Sequence, residues 1–150
     1  MKILLTTLNA KYVHSNLALK YLYTVAAGEY SDLEVREFTI NNDPHYVYGE
    51  IVRGGYDLVC FSCYIWNIEQ TRKLAADLKL ACPNLLLAVG GPEVSSQGPA
   101  FVQQNPWVDF LLRGEGEYPF YRLCQVLHAP QRALETIPGL IYRQAGKIYV

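Results

Sequence analysis

Residues 85–117 hold two short apolar runs, each ending in a glycine turn. Leu85-Leu-Leu-Ala-Val89 runs into Gly90-Gly91-Pro92-Glu93, and Val108-Asp-Phe-Leu-Leu112 runs through Arg113 into Gly114-Glu115-Gly116-Glu117. A continuous apolar run bounded by glycine reads as a strand covered on both faces, the condition of strands in a parallel sheet. With both strands in one sheet the two turns open on the same edge, and the carboxyl edge of an open α/β sheet is where ligands bind.

Working outward, the same alternation repeats in both directions. Lys2-Ile-Leu-Leu-Thr-Thr-Leu8 reads as strand one, and residues 16–27 carry Leu17, Leu19, Tyr21, Leu22 and Val25 at helical spacing. Leu33-Glu-Val-Arg-Glu-Phe38 alternates apolar and charged residues, as a strand nearer a sheet edge does. Asp43-Pro44 follows as a helix start, the aspartate capping and the proline at the first helical position. Tyr56-Asp-Leu-Val-Cys-Phe-Ser62 reads as a central strand, and residues 67–80, 94–104 and 117–127 read as the remaining helices. Pro92-Glu93 is expected to form a loop. Five βα units in series predict an α/β domain over residues 1–136, with a doubly wound five-stranded parallel sheet and right-handed crossovers. The rhythm breaks at Ile137-Pro138-Gly139. Leu140-Ile-Tyr142 and Lys147-Ile-Tyr-Val150 flank a turn and predict a C-terminal β-hairpin, so residues 137–150 read as a hairpin and linker into a further domain beyond Val150.

Composition narrows the function classes. The chain has 150 residues, a net charge of -1 and no basic run, which argues against nucleic acid as a partner. The apolar start after Met1-Lys2 is too short for a signal-peptide core or a membrane span, so a cytoplasmic domain is expected. Cys60 and Cys63 have the C-x-x-C spacing, but on a strand residues three apart point to opposite faces and no second pair follows to close a zinc site. Buried free thiols are the better reading, and no metal site is assigned.

The residues able to contact a ligand sit at the strand ends. Gly90 and Gly91 let the backbone take positive φ and let a ligand approach closely, or serve the geometry of a tight turn. No G-x-G-x-x-G follows strand one and no G-K-[ST] occurs, which disfavours the usual dinucleotide site and a P-loop. Glu115, between two glycines, is the better ligand candidate, whereas Glu117 suits the positive end of a helix. Ser62 either donates a hydrogen bond into the crevice or is a satisfied buried serine. The first loop, Asn9-Ala-Lys-Tyr-Val-His-Ser-Asn16, is long and polar, and its His14 reads as a metal ligand, a base or a surface residue. No catalytic constellation is present in the pattern, so the domain reads as a binder.

Loop one with Asn9, Tyr12 and His14, then Phe61-Ser62-Cys63-Tyr64, then Val89-Gly90-Gly91-Pro92-Glu93, then Asp109 to Glu117 with its turn Gly114-Glu115-Gly116, together resemble the N-terminal cobalamin-binding domain of cobalamin-dependent radical S-adenosylmethionine enzymes. The resemblance covers the whole chain and implies a flavodoxin-like, Rossmann-like fold with a corrinoid across the carboxyl edge. It implies that Ser62 and Tyr64 stand for a Ser-x-Leu element, with Tyr in place of Leu. It implies too that Gly90 and Gly91 line the nucleotide tail. Members that bind cobalt through histidine carry Asp-x-His-x-x-Gly in loop one, whereas here Tyr12-Val13-His14-Ser15-Asn16-Leu17 lacks both the aspartate and the glycine. The cluster motif C-x-x-x-C-x-x-C is absent, so the resemblance places S-adenosylmethionine and a [4Fe-4S] cluster in a C-terminal catalytic domain, the expected partner of this one. The implied full-length enzyme is a methyltransferase or cyclase, and the rival reading is a cofactor-free docking module of the same fold. On this reading Gly91→Leu fills the tail channel and leaves the fold intact.

Overall fold

The computed structural model describes residues 1–131 and 133–150. Seven strands form one sheet in the order β2-β1-β3-β4-β5-β6-β7. The first five are β1 (Ile3–Asn9), β2 (Leu33–Thr39), β3 (Leu58–Ser62), β4 (Leu86–Gly90) and β5 (Phe110–Leu112), all parallel. Their order 2-1-3-4-5 is that of the flavodoxin-like fold, whose topological switch point lies between β1 and β3. The sheet has seven strands rather than five because the C-terminal hairpin, β6 (Leu140–Gln144) and β7 (Lys147–Tyr149), pairs antiparallel with β5 and continues it. Leu140, Ile141 and Tyr142 of β6 are buried, so the hairpin completes the core instead of standing away from it.

Two apolar cores lie on the two faces. One holds Ile3, Leu5, Leu58, Cys60, Ala88 and Phe110 of the sheet beneath α1 (Leu17–Ala26) and α6 (Glu117–His128), which add Leu19, Phe120 and Leu123. The other holds Leu4, Val59, Phe61, Leu87, Val89 and Leu111 beneath α2 (Pro44–Gly54) and α3 (Ile68–Ala81), with Val94 of α4 (Pro92–Ser95) and Phe101 of α5 (Pro99–Gln104). The alternation of sheet residues between the two sets is the period-two geometry of a strand buried on both sides. Cys60 and Cys63 fall in opposite cores, and the described cysteines are all unpaired.

Local signals set the helix ends. Asp43 Oδ1 accepts from the His45 N–H at 2.8 Å with Pro44 as the first residue of α2, and Gly55 closes that helix at φ 64°. Where one helix was expected over residues 94–104, there are two, because Gly98 at φ 53° breaks the chain and Pro99 restarts it. Pro92-Glu93 is likewise not a loop. Proline's fixed φ suits the first turn of a helix, and α4 begins at Pro92.

At the amino end of the sheet, Asp109 Oδ2 accepts from Lys79 Nζ and from the buried Leu87 N–H, both at 2.8 Å. Asp109→Ala leaves a partly buried ammonium and a buried amide without their acceptor, and a loss of about 2–3 kcal/mol is expected. Urea unfolding measures it; a change below about 0.5 kcal/mol would show that water replaces the carboxylate.

Candidate functional site

At the carboxyl edge, on the α1/α6 face, a cleft of about 480 Å³ opens between the sheet and the starts of the two helices. Its walls are the ends of β3, β4 and β5 together with α1 and the Gly114–Glu117 turn. The lining is mostly apolar, with Leu17, Tyr21, Leu22, Phe61 and Leu112 around Gly90.

The adjacent glycines have different jobs. A Cβ on Gly90 would meet only the Leu112 carbonyl oxygen and Cβ, at 3.6 and 3.7 Å, which is ordinary contact. The fold therefore does not demand glycine there; its absent side chain keeps the cleft deep. Gly91 has φ 103°, and a Cβ on it would lie 2.5 Å from the Cys63 carbonyl oxygen. Backbone geometry alone requires that glycine. The expectation that Gly91→Leu leaves the fold intact is corrected accordingly. Gly114 has φ 70° with open space beside it, and Gly116 lets α6 approach Leu22 of α1, whose Cδ2 would lie 3.4 Å from an added Cβ.

Asn16, buried and capping α1, organises the polar rim. Its Oδ1 accepts from the Leu19 N–H at 3.1 Å, which fixes the amide so that Nδ2 donates toward Ser62 Oγ and Tyr64 Oη, each at 3.4 Å. The Asn16 N–H donates to Glu37 Oε1 at 2.6 Å. Behind the rim, fully buried Asn67 places Nδ2 within 3.2 Å of Thr7 Oγ1, Leu8 O and Ser62 O, and its Oδ1 accepts from the Tyr64 N–H at 2.9 Å. That lock holds the β3 exit, where Tyr64 stacks on Trp66 with centroids 4.5 Å apart.

The structure brings Ser62, Tyr64, Gly90, Gly91, Pro92, Gly114, Glu115 and Gly116 together around one cleft, with Glu117 beside them. Asn9, Tyr12, His14 and Glu93 do not line it. Asn9 is a loop brace, its Nδ2 donating to His14 O at 3.0 Å and lying 3.4 Å from Glu37 Oε2. Tyr12 is 90% exposed, and His14 is exposed on the same loop. No imidazole is among the cleft-lining residues described. Cys60, at the cleft base, is held protonated because burial pushes its thiol well up, and the nearby Cys124 adds to the rise. Burial also pushes Cys63 up to about 12. Among the described residues no group of three or more His, Cys, Asp or Glu is placed to hold a metal ion, and no helix is long and apolar enough to cross a membrane.

Sequence reasoning missed Leu17, Tyr21, Leu22 and Leu112 as lining residues. The signal was there: helix one carries more apolar residues than one buried stripe needs, and Leu17 and Tyr21 are accordingly 58% and 51% exposed. Asn16 gave no signal beyond that of a helix cap.

A family model described as the B12 binding domain matches residues 3–124. The chain is 33% identical over 94 residues to the cobalamin-dependent radical SAM methyltransferase TokK of Streptomyces tokunonensis, a match covering 63% of this chain and 14% of that protein. It is 34% identical over 87 residues to the 2-(S-pantetheinyl)-carbapenam-3-carboxylate methyltransferase of Streptantibioticus cattleyicolor, covering 58% of this chain and 13% of that one. The chain thus spans about a seventh of these curated relatives. Among solved structures, the cobalamin-dependent S-adenosylmethionine radical enzyme OxsB with aqua-cobalamin bound superposes with TM-score 0.76 at 15% identity, over 99% of this chain and 22% of that chain. A cobalamin-binding protein from Desulfitobacterium hafniense superposes with TM-score 0.61 at 18% identity, over 83% of this chain and 57% of that one. These two structures share the fold.

Proposed function

The chain belongs to the B12-binding domain family, and on that premise we propose that it is the corrinoid-holding domain of a larger radical S-adenosylmethionine enzyme. The observation that carries the reading is the apolar carboxyl-edge cleft kept deep by Gly90, a glycine the fold itself does not need. A volume of about 480 Å³ is too small for a whole corrinoid and would suit an appendage of it. Ser62, Tyr64, Gly90, Gly91, Pro92, Gly114, Glu115 and Gly116 would hold the group. A bound corrinoid supplies organometallic cobalt chemistry; the protein supplies binding, orientation and exclusion of water. Ser62 and Tyr64 offer hydroxyls, the leucines exclude water, and Glu115 marks the mouth.

His14 lies outside the cleft on an exposed loop, so this reading assigns cobalt no side-chain ligand from the cleft. Both relatives are methyltransferases, in keeping with this reading, and the catalytic partner of this domain is proposed to be a domain of the same polypeptide carrying S-adenosylmethionine and a [4Fe-4S] cluster. The hairpin within residues 137–150, paired into this domain's own sheet, then leads toward that partner. The same reading places the protein in the cytoplasm, where its thiols stay reduced.

The test is to mix the purified chain with hydroxocobalamin, desalt it and record the visible spectrum of the protein fraction. A co-eluting corrinoid spectrum is expected, unchanged by His14→Ala. A spectral shift in that variant would make His14 a cobalt ligand. Colourless protein, both for this chain and for the full-length protein, would favour the cofactor-free docking module.

A further inference from the structure

We propose that the groove between α2 and α3, on the face of the sheet opposite the corrinoid cleft, is a second binding site that takes a free α-amino acid with a large apolar side chain. The inference does not depend on the corrinoid reading. The groove has a volume of about 610 Å³, within the range of small-molecule sites, and among the described residues none lines both it and the cleft. Its floor is apolar and belongs to the α2/α3 core, where Leu8 at the end of β1, Val47 of α2 and Leu74 of α3 are all buried. The α3 wall continues into Leu80, which is 81% exposed, so the apolar strip runs on uncovered along the helix.

The charge pattern selects the ligand. Lys73 and Asp77 stand one turn apart on α3 and both line the groove, yet among the described residues neither forms an ion pair, with the other or with a third group. A lysine placed N-terminal to an acid at i,i+4 is the weaker order for pairing along a helix. The groove therefore presents one cation and one anion, about 6 Å apart along the helix axis, beside an apolar floor. A simple carboxylate would answer Lys73 and leave Asp77 facing its tail, and a simple amine would do the reverse. An α-amino acid carries both charges on one carbon, fits between the two side chains and closes the pair that they do not make directly.

Its side chain then lies on Leu8, Val47 and Leu74, with room for an aromatic ring. His45 and Tyr48 line the same space from α2, and a ring and a hydroxyl there suit an aromatic guest. The groove is braced where β2 ends. Asn42 Oδ1 accepts from the Thr39 N–H at 2.7 Å, and Gln70 Nε2 of α3 donates to the Ile40 carbonyl oxygen at 3.2 Å, which ties the chain after β2 to α3.

The test is equilibrium dialysis of the purified chain against L-tryptophan, with tryptamine and indole-3-acetate as probes that each keep the ring and one of the two charges. L-Tryptophan is expected to be retained with a Kd of about 0.5 mM, and each single-charge probe about tenfold more weakly. Lys73→Met and Asp77→Asn, both at exposed helix positions, should each cost L-tryptophan about tenfold. The probes then assign the contacts: tryptamine should ignore Lys73→Met, and indole-3-acetate should ignore Asp77→Asn. Saturating hydroxocobalamin should leave L-tryptophan retention unchanged. No retention at about 5 mM L-tryptophan would overturn the proposal. So would equal retention of all three probes, or wild-type affinity in both variants. Displacement of L-tryptophan by hydroxocobalamin would put it in the corrinoid cleft and sink the second site, while failure of the chain to bind hydroxocobalamin bears only on the corrinoid reading.

Discussion

Gly91→Ala is expected to unfold at a temperature about 10 °C below the wild type. At φ 103° and ψ 170° the residue occupies a region essentially closed to side chains, and its Cβ would sit 2.5 Å from the Cys63 carbonyl oxygen and 3.0 Å from the Cys63 nitrogen. Backbone strain of that kind costs about 1–3 kcal/mol before any overlap is counted. Relief requires the β3 and β4 exits to move apart, yet they are tied there by the Cys63 N–H bonding to the Gly90 carbonyl at 2.8 Å. A combined loss of about 3–4 kcal/mol gives the stated shift at roughly 2–4 °C per kcal/mol for a domain of this size. Calorimetry decides it. A melting temperature within about 2 °C of wild type would mean that the turn relaxes freely and that Gly91 is held by function instead.

The neighbouring change has the opposite signature. Gly90→Leu is expected to abolish corrinoid retention while the protein stays folded. Gly90 lies on the same face as Ala88, and an added Cβ meets only ordinary contacts with Leu112. Beyond the Cβ, the leucine side chain would occupy the cleft that Gly90 lines together with Leu22 and Leu112. A ligand forced against that volume loses about 3 kcal/mol or more, roughly a hundredfold in affinity. Equilibrium dialysis with hydroxocobalamin, beside a thermal melt, separates the two effects. Undiminished binding in a folded Gly90→Leu protein would place the ligand outside this cleft. Gly91→Ala and Gly90→Leu thus form a pair in which stability and binding part company across one peptide bond.

How much of this was legible beforehand differs from element to element. The five parallel strands were, because continuous apolar runs such as Leu85 to Val89 have no stable place except between two layers of helix. So was the start of α2, since Asp43-Pro44 carries its own cap and its own φ. The break of helix 94–104 was available in Gly98-Pro99 and was overridden by apolar periodicity on either side. The hairpin was recognised as a hairpin but not as part of the sheet, because strand pairing between β5 and β6 depends on where a chain returns in space. Periodicity carries no such information.

For the site, the local pattern supplied residue types at strand ends, and the parallel topology alone sufficed to put Ser62, Gly90 and Gly114 on one edge. Three decisions came only with the tertiary structure. Gly90 and Gly91 look alike in sequence, and the closeness of the Cys63 backbone is what separates a glycine required by the turn from one that leaves room for a ligand. Loop one reads as a candidate throughout, yet Asn16 points inward while His14 stays exposed, because Glu37 of β2 holds the Asn16 N–H while Asn9 braces the loop from its own start. Asn16 itself reads locally as an ordinary cap. Its second role exists because β3 brings Ser62 and Tyr64 within 3.4 Å of an amide whose other end the helix has already claimed. The sequence by itself determined the strands, the order of elements and the binding edge, since burial and turn chemistry act over a few residues. The depth of the cleft and the direction of its hydrogen bonds were decided by contacts between segments some thirty to fifty residues apart, which no local pattern encodes.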